Sequence, residues 1–167
     1  EFDVPIIGVV IPGARAAVEA TQDNKVGVIG TDATVQSGMY TKIIQGMNPD
    51  IQVIEKACPL FVPLVEEGFK EHVVTEIIEY YLQSMKESDI DAMILGCTHY
   101  PLLRSKIRSY MGERIQIVNP AYETAMDLKQ LLEEGNMAND RSKMHSHYEF
   151  YVSDTAEKFR QFANTVM

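Results

Sequence analysis

The densest chemical cluster in the chain is Cys97-Thr98-His99. A thiol that gives up its proton is a nucleophile or a base. An imidazole can take or give a proton near neutral pH, and a hydroxyl can hold a polar ligand. The cluster follows the apolar run Ile94-Leu95-Gly96 and precedes Pro101, a residue suited to a first helical turn. Cys97 is therefore expected at a strand end, beside a helix N-terminus whose positive end favours a thiolate. The same residues also fit a buried Cys, a capping Thr and a core His, and spacing alone does not separate the two.

Other candidates follow other apolar runs. Thr31-Asp32-Ala33-Thr34 opens a helical pattern, so Thr31 or Asp32 can be an N-cap. The same hydroxyls and free amides could hold a carboxylate or a phosphate. No Gly-Lys-Ser/Thr follows, which excludes a P-loop, and no dinucleotide fingerprint is present. Cys58 lies between apolar neighbours and ahead of Pro59, which favours a structural thiol, although topology puts it on the same rim as Cys97. Glu66 and Glu67 read as a solvated helix end, and Arg15 as a surface charge. His145 and His147 sit in the polar stretch 135–147 without carboxylate or Cys company, so a surface loop is expected there and no metal site.

These positions need a scaffold. Six short apolar runs read as buried strands: 5–11 (PIIGVVI), 26–30 (VGVIG), 51–55 (IQVIE), 92–96 (AMILG), 115–118 (IQIV) and 148–152 (YEFYV). Pro12-Gly13 reads as a turn and the Ala-rich sequence after it as a helix. Four apolar stripes at helical spacing read as core: Val35, Met39, Ile43, Ile44 and Met47; Val74, Ile77, Ile78, Tyr81 and Met85; Ala125, Leu128 and Leu132; Ala156, Phe159, Ala163 and Val166. Strand and helix in alternation predict an α/β fold with a doubly wound parallel sheet. In such sheets ligands sit at the carboxyl ends of the strands.

Composition narrows the function classes. Fifteen Lys and Arg against 24 Asp and Glu give a formal net charge of −9. An acidic chain does not suit generic nucleic-acid binding or docking on anionic lipid, so neither partner is expected. No apolar run approaches the roughly 18 residues of a membrane span, and no signal peptide is visible at the start. Two cysteines make neither a disulfide framework nor a zinc site, so a reduced, cytoplasmic protein is the expectation. Length fits one domain or one and a fraction.

Five segments, in order, resemble bacterial glutamate racemase. They are Gly8-Val9-Val10-Ile11-Pro12-Gly13-Ala14-Arg15-Ala16-Ala17, Val26-Gly27-Val28-Ile29-Gly30-Thr31, Ala57-Cys58-Pro59-Leu60-Phe61-Val62-Pro63-Leu64-Val65-Glu66, Leu95-Gly96-Cys97-Thr98-His99-Tyr100-Pro101-Leu102-Leu103 and Asn119-Pro120-Ala121-Tyr122-Glu123-Thr124-Ala125. The resemblance implies two α/β domains facing across a cleft and a racemisation that needs no cofactor. One thiolate removes the Cα proton of glutamate, and an opposed thiol reprotonates the other face, supplying D-glutamate for peptidoglycan. Cys97 matches the second catalytic cysteine, His99 a residue assisting that thiol beside the substrate, and Glu66 an acidic residue steering proton transfer. Thr98 matches a substrate contact. Thr31 and Thr34 lie where the family places hydroxyls near the substrate, with Ala33 departing from its usual Thr-x-Gly-Thr. Cys58 matches no catalytic position.

The family's opening Asp-Ser-Gly and Cys-Asn-Thr segments, the second carrying the first catalytic cysteine, are not in this sequence. Residues 1–114 are therefore expected to form the central domain. Residues 115–167 are expected to return to an N-terminal domain lying outside this sequence, with Phe159 and Phe162 exposed without it. The missing initiator Met agrees with such a truncation. The resemblance also implies a small-molecule substrate, glutamate, and a homo-oligomer such as a dimer. The 167-residue chain alone is expected to be inactive. Three other readings compete: a noncatalytic α/β module holding a small anion or a partner, an aspartate or hydantoin racemase relative, and a Cys-His hydrolase, for which no orienting carboxylate or oxyanion hole can be placed.

Overall fold

The computed structural model describes residues 4–139, 149–153 and 156–166. Four parallel strands form one sheet in the order β2-β1-β3-β4. They are β1 Lys25–Gly30, β2 Gln52–Ala57, β3 Ala92–Leu95 and β4 Gln116–Val118. In register, Val28 faces Glu55 on one side and Ile94 on the other, and Ile94 in turn faces Val118. The central strands β1 and β3 are almost wholly buried, which is why they are nearly continuous apolar runs. The edge strands begin with exposed Gln52 and Gln116.

Helices cover both faces. They are α1 Val10–Ala20, α2 Asp32–Ser37, α3 Met39–Met47, α4 Phe61–Glu67, α5 Glu71–Lys86, α6 Arg104–Met111, α7 Pro120–Glu134 and α8 Ala156–Val166, with a 3-10 helix Tyr100–Leu103 leading into α6. Successive side chains of a strand point to opposite faces. Val26, Val28, Ala92, Ile94 and Val118 accordingly pack with Ala14, Ala17, Tyr40 and Ile44 of α1 and α3. Ile29, Met93, Leu95 and Ile117 pack with Phe61, Ile78, Leu82 and Ile107 of α4, α5 and α6. The sheet is doubly wound, as its sequence pattern predicts.

The end of the sheet opposite the site is tied by Asp91, which precedes β3. Its buried carboxylate accepts from the Thr21 hydroxyl at 2.5 Å and from the amides of Gln22 and Asp23 at 2.5 and 2.7 Å. The turn between α1 and β1 is thereby fixed to the start of β3.

Several expectations need correction. Residues 5–11 are not a strand: α1 begins at Val10, and Ile6 is 80% exposed. Among the described residues this run pairs with no strand. Pro12 lies in the first turn of α1, where a missing N–H costs nothing, so Pro12-Gly13 is helix rather than turn. Gly13 is required there because a Cβ would sit 2.8 Å from Cγ of Pro120. The described part of 148–152 is likewise not a strand, and Tyr151 is 85% exposed. No second sheet exists among the described residues to receive it.

The first helical stripe is split by Gly38, held at φ +58°; of its members Ile44 is buried, Val35 and Ile43 are half-buried, and Met39 and Met47 are exposed, while Tyr40, outside the stripe, is buried. The stripe of α7 is not core: Ala125 and Leu128 are exposed and Leu132 is half-buried. In the last stripe Phe159 is exposed. The sheet also runs past residue 114 to take in β4, and α7 packs on α1 through Gly13 and Pro120 and an Arg15–Asp127 ion pair at 2.6 Å. His145 and His147 lie outside the described residues. Among the described residues no helix is long and apolar enough to cross a membrane.

Candidate functional site

Three strand ends build the site. β1 runs into Thr31, which caps α2 by accepting from the Thr34 amide at 3.3 Å. The two threonine hydroxyls lie 3.0 Å apart, and Thr34 Oγ1 reaches the Gly96 carbonyl at 3.5 Å. The capping reading of Thr31 therefore holds, and the Thr34 hydroxyl beside it reaches the end of β3. Glycine makes this approach possible. A Cβ at Gly30 would lie 2.8 Å from Thr34 Cγ2, and one at Gly96 would lie 2.8 Å from the Ile29 carbonyl oxygen.

β3 delivers Gly96 and then Cys97, which is half-buried against the apolar cluster under α4, α5 and α6. Residues 97–99 form a turn closed by Tyr100 N–H donating to the Cys97 carbonyl at 3.2 Å. The 3-10 helix begins directly after it, with Pro101 in its first turn as the sequence predicts. His99 Nε2 lies 2.9 Å from Glu66 Oε1 at the end of α4, and His99 Nδ1 lies 3.3 Å from Thr98 Oγ1. The His99 side chain is 21% exposed and that of Glu66 is 46% exposed, so the pair sits at the mouth of the site. An imidazole held by a carboxylate on one nitrogen has a fixed ring plane and a biased tautomer. Such a ring can pass a proton to or from a neighbouring group.

β2 delivers Cys58, which is more deeply buried than Cys97. It is 0% exposed. Burial pushes its thiol up to about 12, against the weaker pull of Lys56. Its Sγ reaches only the Lys56 carbonyl, at 3.8 Å. A thiol so placed stays protonated, in keeping with a structural cysteine.

The structure thus brings Cys97, Thr98, His99 and Glu66 together on the carboxyl rim, with Thr31 and Thr34 beside them on α2. Sequence reasoning missed Gly30, Gly96 and Tyr100. The glycines are legible only as small residues at strand ends, a weak signal. The buried Tyr100 hydroxyl lies 2.9 Å from the Gly30 carbonyl and 2.8 Å from that of Cys58.

Comparison with known proteins places the chain in a family. The family model for Asp/Glu/Hydantoin racemase matches residues 1–127. The chain belongs to this racemase family. A glutamate racemase of Geobacter metallireducens is 40% identical over 164 residues, covering 98% of this chain and 60% of that relative. Glutamate racemase isoform RacE1 of Bacillus anthracis superposes with a TM-score of 0.91 at 36% identity, over 99% of this chain and 62% of the other. The Francisella tularensis glutamate racemase, solved in complex with D-glutamate, gives 0.87 at 34% identity, over 98% and 60%. This racemase-family chain therefore spans about 60% of the length of the relatives it matches.

Proposed function

We propose that the chain is the larger part of a glutamate racemase, which interconverts L- and D-glutamate without a cofactor and supplies D-glutamate for peptidoglycan. One observation carries the reading: a half-buried thiol, Cys97, stands on the carboxyl rim in the same turn as a carboxylate-held imidazole, His99. The 40% identity to a glutamate racemase supports it. In this reading Cys97, as thiolate, takes the Cα proton from one enantiomer. The electron pair left on Cα is spread into the substrate carboxylate. A second thiol on the opposite face then gives its proton to Cα. In the reverse direction Cys97 is the donor. His99 exchanges protons with Cys97, and Glu66 holds the ring. Thr98, Thr31 and Thr34 supply hydroxyls to the substrate's polar groups.

Cys58 is buried on the same side of the fold as Cys97, so it does not supply the opposite face. In this reading the second thiol comes from a second domain. In this reading the partition expected at residue 114 shifts toward the C-terminus, because β4 belongs to this sheet and α7 packs on α1. The exposed apolar residues before and after the sheet, such as Ile6 and Phe150, serve the other domain. A homo-oligomeric, cytoplasmic enzyme is part of the same proposal.

Two measurements test it. Iodoacetamide should modify Cys97 well ahead of Cys58, and D- or L-glutamate should slow the reaction. Labelling of Cys97 at the rate of an unactivated thiol, indifferent to glutamate, would favour a noncatalytic binding module. Circular dichroism of L-glutamate incubated for hours with the 167-residue chain should stay constant. A sustained fall in the signal would overturn the need for a second thiol.

A further inference from the structure

Tyr100 is 0% exposed and lies beneath the Cys97 turn. Its ring stacks edge-on against Phe61 with centroids 5.2 Å apart. Burial, with Cys58 and Cys97 nearby, raises the phenol well above its usual range, so the hydroxyl is a donor. It has one proton and faces two carbonyls, those of Gly30 and Cys58. Neither carbonyl depends on it. Gly30 O already accepts from the Cys58 amide at 2.9 Å, and Cys58 O from the Phe61 amide at 3.0 Å. A phenylalanine would fill the same space without bringing a buried hydroxyl that needs partners. What the hydroxyl adds is a tie between chain segments. The residue that closes the Cys97 turn through its amide also pins that turn, through its side chain, to the ends of β1 and β2.

We propose that Tyr100 is a positioning residue, whose hydroxyl holds the Cys97-Thr98-His99 turn in register with Thr31 and Thr34 at the end of β1. The catalytic meaning of that register rests on the glutamate racemase reading; the mechanical tie does not. Gly30 and Thr31 are adjacent, so a bond to the Gly30 carbonyl fixes the turn to the strand end that carries the hydroxyl pair. Loss of the bond leaves both carbonyls satisfied and the core filled, and frees only the turn.

The test uses the full chain carrying Tyr100→Phe, with Ile107→Val as a control. Ile107 is buried in the same apolar cluster and makes no bond to the turn. In Y100F the amides of Tyr100 and Leu102 should exchange about fivefold faster, as expected for loss of one neutral hydrogen bond. The pH profile of Cys97 alkylation should move, Cys58 should stay protected, and exchange at Val28 and Ile94 should not change. The control should lower thermal stability while leaving the Cys97 profile unmoved. The proposal is overturned if Y100F behaves like the control, or if both thiols and the core strands open together. Should glutamate fail to protect wild-type Cys97 while Y100F still loosens the turn, the racemase reading falls and the positioning role stands.

Discussion

Two thiols on one rim have opposite characters, and the difference lies in what surrounds each. Cys58 is sealed under Phe61 and Tyr100, and its ionisation is suppressed by burial. Cys97 sits at the surface of the same cluster, one residue from the hydroxyl and two from the imidazole that could assist it. Sequence alone could describe both neighbourhoods, yet left Cys97 open between chemistry and packing. The undecided quantity was the distance from His99 to Glu66, 33 residues apart in the chain and 2.9 Å apart in space. The glycines were illegible for a related reason. Gly96 matters because the Ile29 carbonyl and Tyr40 ring approach it from other elements. Gly96→Ala should therefore destabilise the fold by about 1–3 kcal/mol, since backbone cannot yield as a flexible side chain can. Thermal unfolding of the variant checks this, and an unchanged midpoint would show that the strand ends can spread.

The interior elements were the most readable. Runs 26–30, 51–55, 92–96 and 115–118 all coincide with strands to within about two residues, because a fully covered parallel strand imposes an unbroken apolar run. The outer runs, 5–11 and 148–152, have comparable composition and are not strands among the described residues. A strand needs a neighbouring edge, and no local pattern states whether one exists. The stripe of α7 misled in the same way, since amphipathicity shows that a face wants cover without showing that this chain provides it. The knot at Asp91 lies at this scale, joining the α1–β1 turn to β3. Burial by itself would raise this carboxyl, but the Thr21 hydroxyl and the Gln22 and Asp23 amides outweigh it and hold the carboxyl below its ordinary range. The folded value is thus lower than the unfolded one. Its stabilisation is complete above the unfolded pKa of ~3.9 and is lost as pH falls through the folded value. Asp91→Asn should cost about 1–3 kcal/mol at pH 7 and make the urea midpoint less sensitive to acid below about pH 4. Equal midpoints for the two proteins at pH 7 would mean that the turn holds without the carboxylate.

At the scale of the whole molecule, apolar surface is left uncovered. Ile6, Val9, Ile11, Tyr122, Met126, Leu128, Phe150, Tyr151 and Phe159 are all exposed. A contiguous apolar surface on a free chain promotes association. The 167-residue chain should sediment as larger species with rising concentration. If the proposed function holds, adding the N-terminal part of a glutamate racemase as a separate polypeptide should return it to a defined complex. A chain that stays monomeric at all concentrations would show that these residues are too dispersed to form a patch. The net charge of −9 opposes such association, so raising the salt should strengthen it by screening.

The contact between Gly13 and Pro120 has a further consequence for how the body is closed. The path from α1 to the start of α7 leaves and returns at nearly one point, so everything between is a closed loop of polypeptide sealed at its neck. A unit whose two ends meet can be lifted out, rejoined at another position or set into a different host without disturbing its interior. Here the neck is a residue without a side chain set close against a rigid proline ring. A larger residue at position 13 would push α7 off α1 and open that neck.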